Sequence, residues 1–312
     1  MQSLTEATRV NLEQVLKNEM VLIDASIKGG SDFCWNTFKI KGYDEFNPKD
    51  IKFEIEFFQG FLNILKNPNI RIIPEVSQEL ERYRKIIEDH LSFYSRRHEN
   101  YMNASKKRNH PGKMKTRARR YKGLSEKAEL NKQLLKQLNN LGIYSQRLTN
   151  KRLLEIQNPR YELLSKMVCL ISVKGKVKKD WGIRYGKEAR DPNRSNTDEK
   201  IISASYWQSL TTKIKPVIIS SDSDLKGLLG ITPRLMCSDR FSDYNQGFTI
   251  SLLQRPPTLY WLNKDSPQQE VYKHTMDDLI YRYEKESIEL EENQELMQEL
   301  GCLWKRFSEM CN

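Results

Sequence analysis

The chain has 312 residues, of which 38% are hydrophobic and 30% charged, and its formal net charge is +11. Its five cysteines are scattered and its four histidines lack metal-ligand spacing, which argues against a disulfide framework and against a histidine-based zinc enzyme. No apolar run reaches the roughly 18 residues of a membrane span, and the segment up to Glu19 lacks the apolar core of a secretion signal, so we expect a cytoplasmic protein without membrane contact.

Helices and short apolar strands alternate in the N-terminal part of the chain. The predicted elements are a helix over 5–18, a strand over 20–24, a helix over 49–66, a strand over 70–73 and a helix from 75 to about 100. The first strand runs directly into Asp24, and the last of these helices contains Glu75 and Glu79 one turn apart at its start. Carboxylates are therefore expected at two strand or helix ends of this part of the chain.

A basic segment over 103–123 follows, and no acidic residue interrupts it. Its cationic residues are Lys106, Lys107, Arg108, Lys113, Lys115, Arg117, Arg119, Arg120 and Lys122. His110-Pro111-Gly112 interrupts any helix there, and the leucine spacing of 125–158 predicts a helix afterwards. Such a charge run is commonly a solvated loop, but beside acidic strand ends it also fits an arm that contacts a phosphodiester substrate.

The later part of the chain contains a strand over 217–221, a run of β-branched residues typical of a buried parallel strand. It ends in Ser220, Asp222 and Asp224. Upstream, Asp198 opens a helix, and taken alone it is most simply a helix-capping carboxylate. The remaining predicted elements are strands over 248–253 and 259–262 and a helix or helix pair over 274–311, which packs on the domain or on a partner, including a second copy in a homodimer.

Two of these carboxylates follow apolar strands, Asp24 after the first and Asp222 after the later one. The carboxyl ends of parallel strands meet at one edge of an open sheet, where ligands bind. Carboxylates placed side by side there repel each other unless a cation or a proton intervenes. Since no histidine or cysteine cluster is present, oxygen ligands favour Mg²⁺ or Mn²⁺. The sequence thus predicts a divalent-metal site.

In their order along the chain these acids resemble the PIN domain ribonucleases. The matching motifs are Asp24-Ala25-Ser26 after the first strand, Glu79-Leu80 in the helix after the second, Asp198 ahead of an alanine-bearing apolar stripe, and Ser220-Ser221-Asp222 with Asp224 after a later strand. The resemblance implies a PIN-like α/β fold, a three-layer α/β/α arrangement with a central, mostly parallel sheet. The implied divisions are 1–83 and 195–262 as the halves of the PIN-like domain, 84–194 as a basic helical insertion, and 263–312 as a helical extension.

The same resemblance implies a metal-dependent endoribonuclease. The implied catalytic and metal-binding acids are Asp24, Glu79, Asp198 and Asp222, with Asp224 as a further ligand of Mg²⁺ or Mn²⁺. Ser26, Ser220 and Glu75 would surround the ligands, and Glu75 competes with Glu79 for the second position. The cationic residues of the basic segment would bind the phosphates of RNA, preferentially single-stranded, or of DNA.

Three other interpretations stay open at this point. A structure-specific DNA nuclease of the flap type would use the basic insertion as an arch above the site, and parallel assays on RNA and flapped DNA distinguish the two enzymes. A PIN-like scaffold would bind RNA or protein without cutting, and a Mn²⁺ titration tests that alternative. In the third interpretation the acids are unrelated helix caps and surface charges.

Overall fold

The computed structural model describes residues 8–9, 20–25, 68–106, 114–176, 196–262 and 271–310. Within these ranges the protein is a mixed α/β structure, mostly helical, with a mostly parallel sheet. This confirms the predicted α/β class and sheet type. The predicted helix over 49–66 lies outside the described residues. None of the helices in the described ranges is long and apolar enough to cross a membrane.

One sheet contains every strand of the described chain. The strands are β1 Thr8–Arg9, β2 Met20–Ile23, β3 Ile70–Arg71, β4 Pro216–Ser220, β5 Thr258–Leu262 and β6 Val271–His274, in the spatial order β1-β6-β5-β4-β2-β3. The four strands β3, β2, β4 and β5 are parallel, whereas β6 pairs antiparallel with both β5 and β1. A further parallel bridge joins Ile72, just after β3, to Leu153.

Nine α-helices and one short 3-10 helix, Asp239–Phe241, fall in the described ranges. The α-helices are α1 Pro74–Lys106, α2 Met114–Thr149, α3 Pro159–Lys176, α4 Thr197–Thr211, α5 Ser223–Met236, α6 Ser242–Gln254, α7 Met276–Arg282, α8 Glu284–Glu291 and α9 Gln294–Glu309. Several begin at side-chain caps that satisfy backbone N–H groups of the first turn. Thr275 and Asp278 form a capping box at α7, and Asn293 accepts from the backbone N–H of Leu296 at α9.

The core surrounds the centre of the sheet. All five residues of β4 are buried, so elements of the fold cover both of its faces. The β-branched side chains of Val217, Ile218 and Ile219 suit such a strand because they pack well on a pleated surface. Between helices α6 and α9, the rings of Phe248 and Trp304 lie 5.1 Å apart between centroids, and both side chains are buried.

The chain divides into two compact units. Unit A lies within Met1–Ile27, Lys66–Ser77 and Lys151–Asn312, and unit B lies within Lys28–Leu65 and Gln78–Asn150. The sheet, the start of α1 and helices α3 to α9 belong to unit A; the rest of α1 and all of α2 belong to unit B. This division differs from the predicted one. The insertion proposed over 84–194 is shared between the units, and the extension proposed over 263–312 contains β6 of the sheet.

Unit B is helical wherever it is described. Helices α1 and α2 pack on each other: Ile87 and Leu138 are buried, and the Cγ2 atom of Ile87 lies 3.7 Å from the Cβ position of Gly142. The imidazole Nδ1 of His98 lies 3.2 Å from the carbonyl oxygen of Ala128. The predicted helix from 75 to about 100 is therefore confirmed and is slightly longer, Pro74–Lys106, and the helix predicted from 125 begins earlier, at Met114.

Some predicted elements are wrong. Thr8–Arg9 form a strand inside the helix predicted over 5–18. The strand predicted over 248–253 is part of α6, in which Phe248 and Leu252 are buried but Leu253 is exposed, the spacing of one helical turn. Residues 151–158 leave the helix predicted over 125–158, because the backbone of Leu154 donates to Ile72 instead. The C-terminal helix or helix pair is divided into three helices.

Candidate active site

The candidate site lies where β2 and β4 end side by side. From β2 the chain goes first to β3 on one side and later to β4 on the other. In an open α/β sheet, ligands bind outside the carboxyl ends of the strands at such a reversal of strand order. Asp24 follows β2 directly, and Asp222 lies two residues after β4. Both acids therefore lie at the strand ends where this rule would place a ligand.

Asp24 and the end of β4 are joined by hydrogen bonds. The register pairs Ile23 with Ile219, which puts Asp24 beside Ser220, and the backbone N–H of Asp24 donates to the Ile219 carbonyl at 3.0 Å. The Ser220 hydroxyl donates to Oδ2 of Asp24 at 2.7 Å and accepts from the backbone N–H of Asp222 at 2.9 Å. Asp24 is only 3% exposed and Ser220 is fully buried. This hydroxyl thus fixes the orientation of the Asp24 carboxylate.

Asp222 has a structural role that is visible in the fold. Its Oδ1 accepts from the backbone N–H of Asp224 at 2.7 Å and caps α5. A carboxylate at a helix N-terminus also interacts favourably with the helix dipole. Both Asp222 and Asp224 are half-buried. The cap therefore holds Asp222 at the carboxyl edge of the sheet.

Helix α4 supplies the third predicted acid. Its C-terminal end leads into the start of β4, on which the helix also packs. Asp198 is half-buried in this turn, whereas the neighbouring Glu199 is buried and accepts from the Ser172 hydroxyl of α3. We did not predict a role for Glu199. The only sequence signal for its burial is helical spacing: Glu199 precedes Ile202 and Ser203 by three and four residues, on the side of α4 that is buried in the structure.

The two candidates for the second acid lie in different units. Glu75 belongs to unit A and follows β3 closely, while Glu79 belongs to unit B and is half-buried. Burial raises the pKa of the Tyr161 hydroxyl, and the negative charge of Glu75 adds to the effect. The same hydroxyl lies 3.5 Å from the carbonyl of Lys200 in the first turn of α4. Tyr161 thus connects α3 to the first turn of α4, the turn that contains Asp198.

The structure brings together some predicted site residues and does not assemble all of them. Asp24, Ser220, Asp222 and Asp224 form one hydrogen-bonded series. Within the ranges that the structure describes, no three His, Cys, Asp or Glu side chains form a group that could hold a metal ion. The donor chemistry still fits Mg²⁺ or Mn²⁺, because carboxylate oxygens are the ligands these ions prefer.

Few of the other predicted site residues have described side chains. Ser26 lies outside the described residues, as do Lys107, Arg108 and Lys113. The backbone places Lys106 at the end of α1 and the remaining cations of the basic segment in the first turns of α2. The residues in α2 are Lys115, Arg117, Arg119, Arg120 and Lys122. The basic run is therefore helical on both sides of residues 107–113.

Next to the acids lies a cation that we did not predict. The Lys226 ammonium, in the first turn of α5, lies 4.6 Å from the centroid of the Trp261 ring. Burial, together with the positive charge of Arg282, lowers the pKa of Lys226. The only sequence signal was the position of Lys226 one turn after Asp222, and nothing in the sequence placed Trp261 of β5 beneath it.

Comparisons with known proteins add no family to these observations. No protein-family model, no curated protein and no solved structure matches the chain. Function is therefore inferred from the chemistry and the placement of the chain's own residues.

Proposed function

We propose that the protein is a metal-dependent endoribonuclease whose site lies at the carboxyl edge between β2 and β4. The observation that supports this most is the buried Asp24 carboxylate, oriented by Ser220 and joined through it to Asp222. Carboxylate oxygens held in place at a ligand-binding edge are the ligands that Mg²⁺ and Mn²⁺ prefer. The order of the acids along the chain, which resembles that of PIN domain ribonucleases, supports the same proposal.

The residues of unit A that would hold the ion are Asp24, Asp198 and Asp222, with Asp224 as a further ligand. Glu79, the second acid in chain order, belongs to unit B, and Glu75 of unit A is the competing candidate. A bound Mg²⁺ or Mn²⁺ would supply Lewis-acid chemistry, lowering the pKa of water and neutralising charge on the phosphate. The chain's own contribution is to hold the carboxylates through Ser220 and the helix caps.

A nucleic acid fits the charge of the chain. The formal net charge is +11, yet the site is acidic, so the excess of positive charge lies elsewhere. The nine cations of the basic segment would bind phosphates and thereby position the substrate, without reading its sequence. Single-stranded RNA is the substrate proposed here, in line with the PIN resemblance.

Cleavage of a fluorescent single-stranded RNA in the presence of Mn²⁺ tests the proposal. We expect Asp24→Asn and Asp222→Asn each to lower the rate by at least about 100-fold, since changes around metal ligands have effects of that order. The matched control is Asp239→Asn, an exposed carboxylate beyond the far end of α5 and about 20 Å from Asp222 along that helix. The control should keep full activity; full activity in the Asp24 and Asp222 variants would defeat the proposal.

A flap-type DNA nuclease is the second candidate. The observation in its favour is that the basic run begins the long helix α2 of a separate helical unit. A flap-type enzyme would use such a basic helical segment to guide a single strand. The same assay with a flapped DNA in place of RNA separates the candidates: faster cleavage of the flap would favour the DNA enzyme.

A further inference from the structure

One face of the sheet ends in a row of four side chains. Asp24, Ser220, Trp261 and Tyr272 lie side by side at the carboxyl edge, since Ser220 pairs with Trp261 and Trp261 with Tyr272. Partners in register point to the same face of a sheet. With neighbouring strands about 4.8 Å apart, the Cα atoms of Asp24 and Trp261 are separated by about 10 Å. The row therefore extends from Asp24 of the candidate site to the aromatic pair Trp261 and Tyr272.

The two aromatic side chains form a pair that is partly open to solvent. The ring centroids of Trp261 and Tyr272 are 6.2 Å apart, and both residues are half-buried. The indole Nε1 of Trp261 is buried and has no hydrogen-bond partner in the described part of the chain. The ring is thus held by packing, with one face under the Lys226 ammonium.

Lys226 is a half-buried cation for which the described residues provide no ion pair. Its ammonium has no carboxylate within 4.0 Å among the described residues, and its contact with the Trp261 ring offsets only part of the free-energy cost of burial. A phosphate group at this point would supply the missing negative charge through charge-assisted hydrogen bonds.

Around Lys226, the described residues add positive charge and form no ion pair with it. Arg282, at the end of α7, is exposed and acts on both Lys226 and His274. His274 is 4% exposed, and its Nε2 has no hydrogen-bond partner among the described residues. Asp278 acts on His274 in the opposite direction, yet belongs to the cap of α7. Arg282 therefore adds positive charge near Lys226.

We propose that Lys226, positioned by the Trp261 ring, binds a backbone phosphate of single-stranded nucleic acid next to the phosphate that faces Asp24. The inference rests on the proposed function for its substrate class. Lys226 is then a substrate-positioning residue, since it contacts a neighbouring phosphate and not the bond that is cleaved. The ammonium suits this role because it offers three donors on a flexible stem.

Binding of a fluorescein-labelled oligouridylate in EDTA tests this subsite without hydrolysis. Anisotropy titrations at several salt concentrations give the slope of log K against log salt, whose magnitude is about 0.7 for each single-strand phosphate that the protein neutralises. We expect Lys226→Met, which keeps the apolar stem on Trp261, to lower that magnitude by about the value for one phosphate. Lys226→Arg should preserve it. The matched control is Lys215→Met, at the exposed amino end of β4, which should leave the slope unchanged.

The outcomes separate this inference from the proposed function. An unchanged slope in a folded Lys226→Met protein, or an equal reduction in Lys215→Met, would overturn the subsite. If Lys226→Met does not fold, the Lys226→Arg protein tests the subsite instead. That variant keeps the positive charge, so a reduced salt slope in it would also overturn the subsite. Failure of the nuclease proposal is seen elsewhere, as absent Mn²⁺-dependent cleavage with the binding slope intact.

Discussion

Burial keeps two histidine side chains of this protein neutral. His274 in unit A and His90 in unit B are 4% and 2% exposed, and burial lowers the pKa of each from 6.5 to about 4. Lys226 and Arg282 lower the pKa of His274 further, and Asp278 and Asp89 act in the opposite direction on the two rings. Protonation of either ring therefore opposes folding.

The stability of the protein should fall as the pH falls through this window. Below pH 6.5 the two histidines become protonated in the unfolded chain, whereas in the folded chain they become protonated only near pH 4. Lowering the pH between these values therefore favours unfolding. Between about pH 7 and about pH 5 we expect a loss of stability on the order of 2 kcal/mol for each histidine. Urea denaturation at the two pH values measures it. His274→Gln and His90→Gln should each flatten the dependence; an unaltered pH dependence in the double variant would contradict the explanation.

At the residue scale, the sequence predicted some roles and left the partners undefined. The PIN resemblance implied that Ser220 lies beside the metal-binding acids, without naming which acid it contacts. That the partner is Asp24, 196 positions away, depends on the parallel register of β2 and β4. Lys226 and Trp261 were missed for the same reason, because their contact joins α5 to β5.

At the scale of elements, the packing of α5 against α7 depends on a glycine. A Cβ atom on Gly230 would lie 2.8 Å from the backbone oxygen of Leu279 and 2.5 Å from Cδ2 of Tyr283. Real Cβ atoms do not approach backbone that closely, so α7 would have to move. Gly230 therefore allows the two helices to lie in contact, although glycine is unfavourable within a helix by about 1 kcal/mol.

Gly230→Ala should destabilise unit A despite the better helix propensity of alanine. Overpacking of a close helix contact costs about 1–3 kcal/mol, more than the propensity gain. The matched control is Gly247→Ala, inside α6, where nothing lies within 4 Å of the added Cβ. The control should raise the free energy of unfolding by about 0.5–1 kcal/mol. Equal stability changes in the two variants would contradict this account of the packing.

Elements with strong local signals were predicted well. The β-branched run of β4 and the long helix α1 are where the sequence indicated, because propensity and burial agree there. The strand expected over 248–253 is helical. The prediction failed because the spacing of apolar residues in so short a run does not distinguish a strand from a buried helix. β1 and β6 were missed because such short strands depend on pairing with distant residues.

At the scale of the whole molecule, the chain leaves unit A within α1 and returns to it at residue 151. Sequence reasoning placed the return later, after 194. In the sequence, α3 continues the run of helices that begins with α1 and α2. Its assignment to unit A depends on its packing on α4, which the sequence does not show. The basic run and the acids Asp24 and Asp222 therefore belong to different units, each with its own core.

The central claim is that the carboxylates at the edge between β2 and β4 bind a divalent ion. Calorimetric titration of the full chain with Mn²⁺ tests it without any assumption about substrate. We predict that the wild-type chain binds Mn²⁺, that Asp24→Asn weakens binding by at least about 10-fold, and that Asp239→Asn binds as the wild type does. A wild-type chain that does not bind Mn²⁺, or equal affinity in Asp24→Asn, would contradict the claim and favour a scaffold.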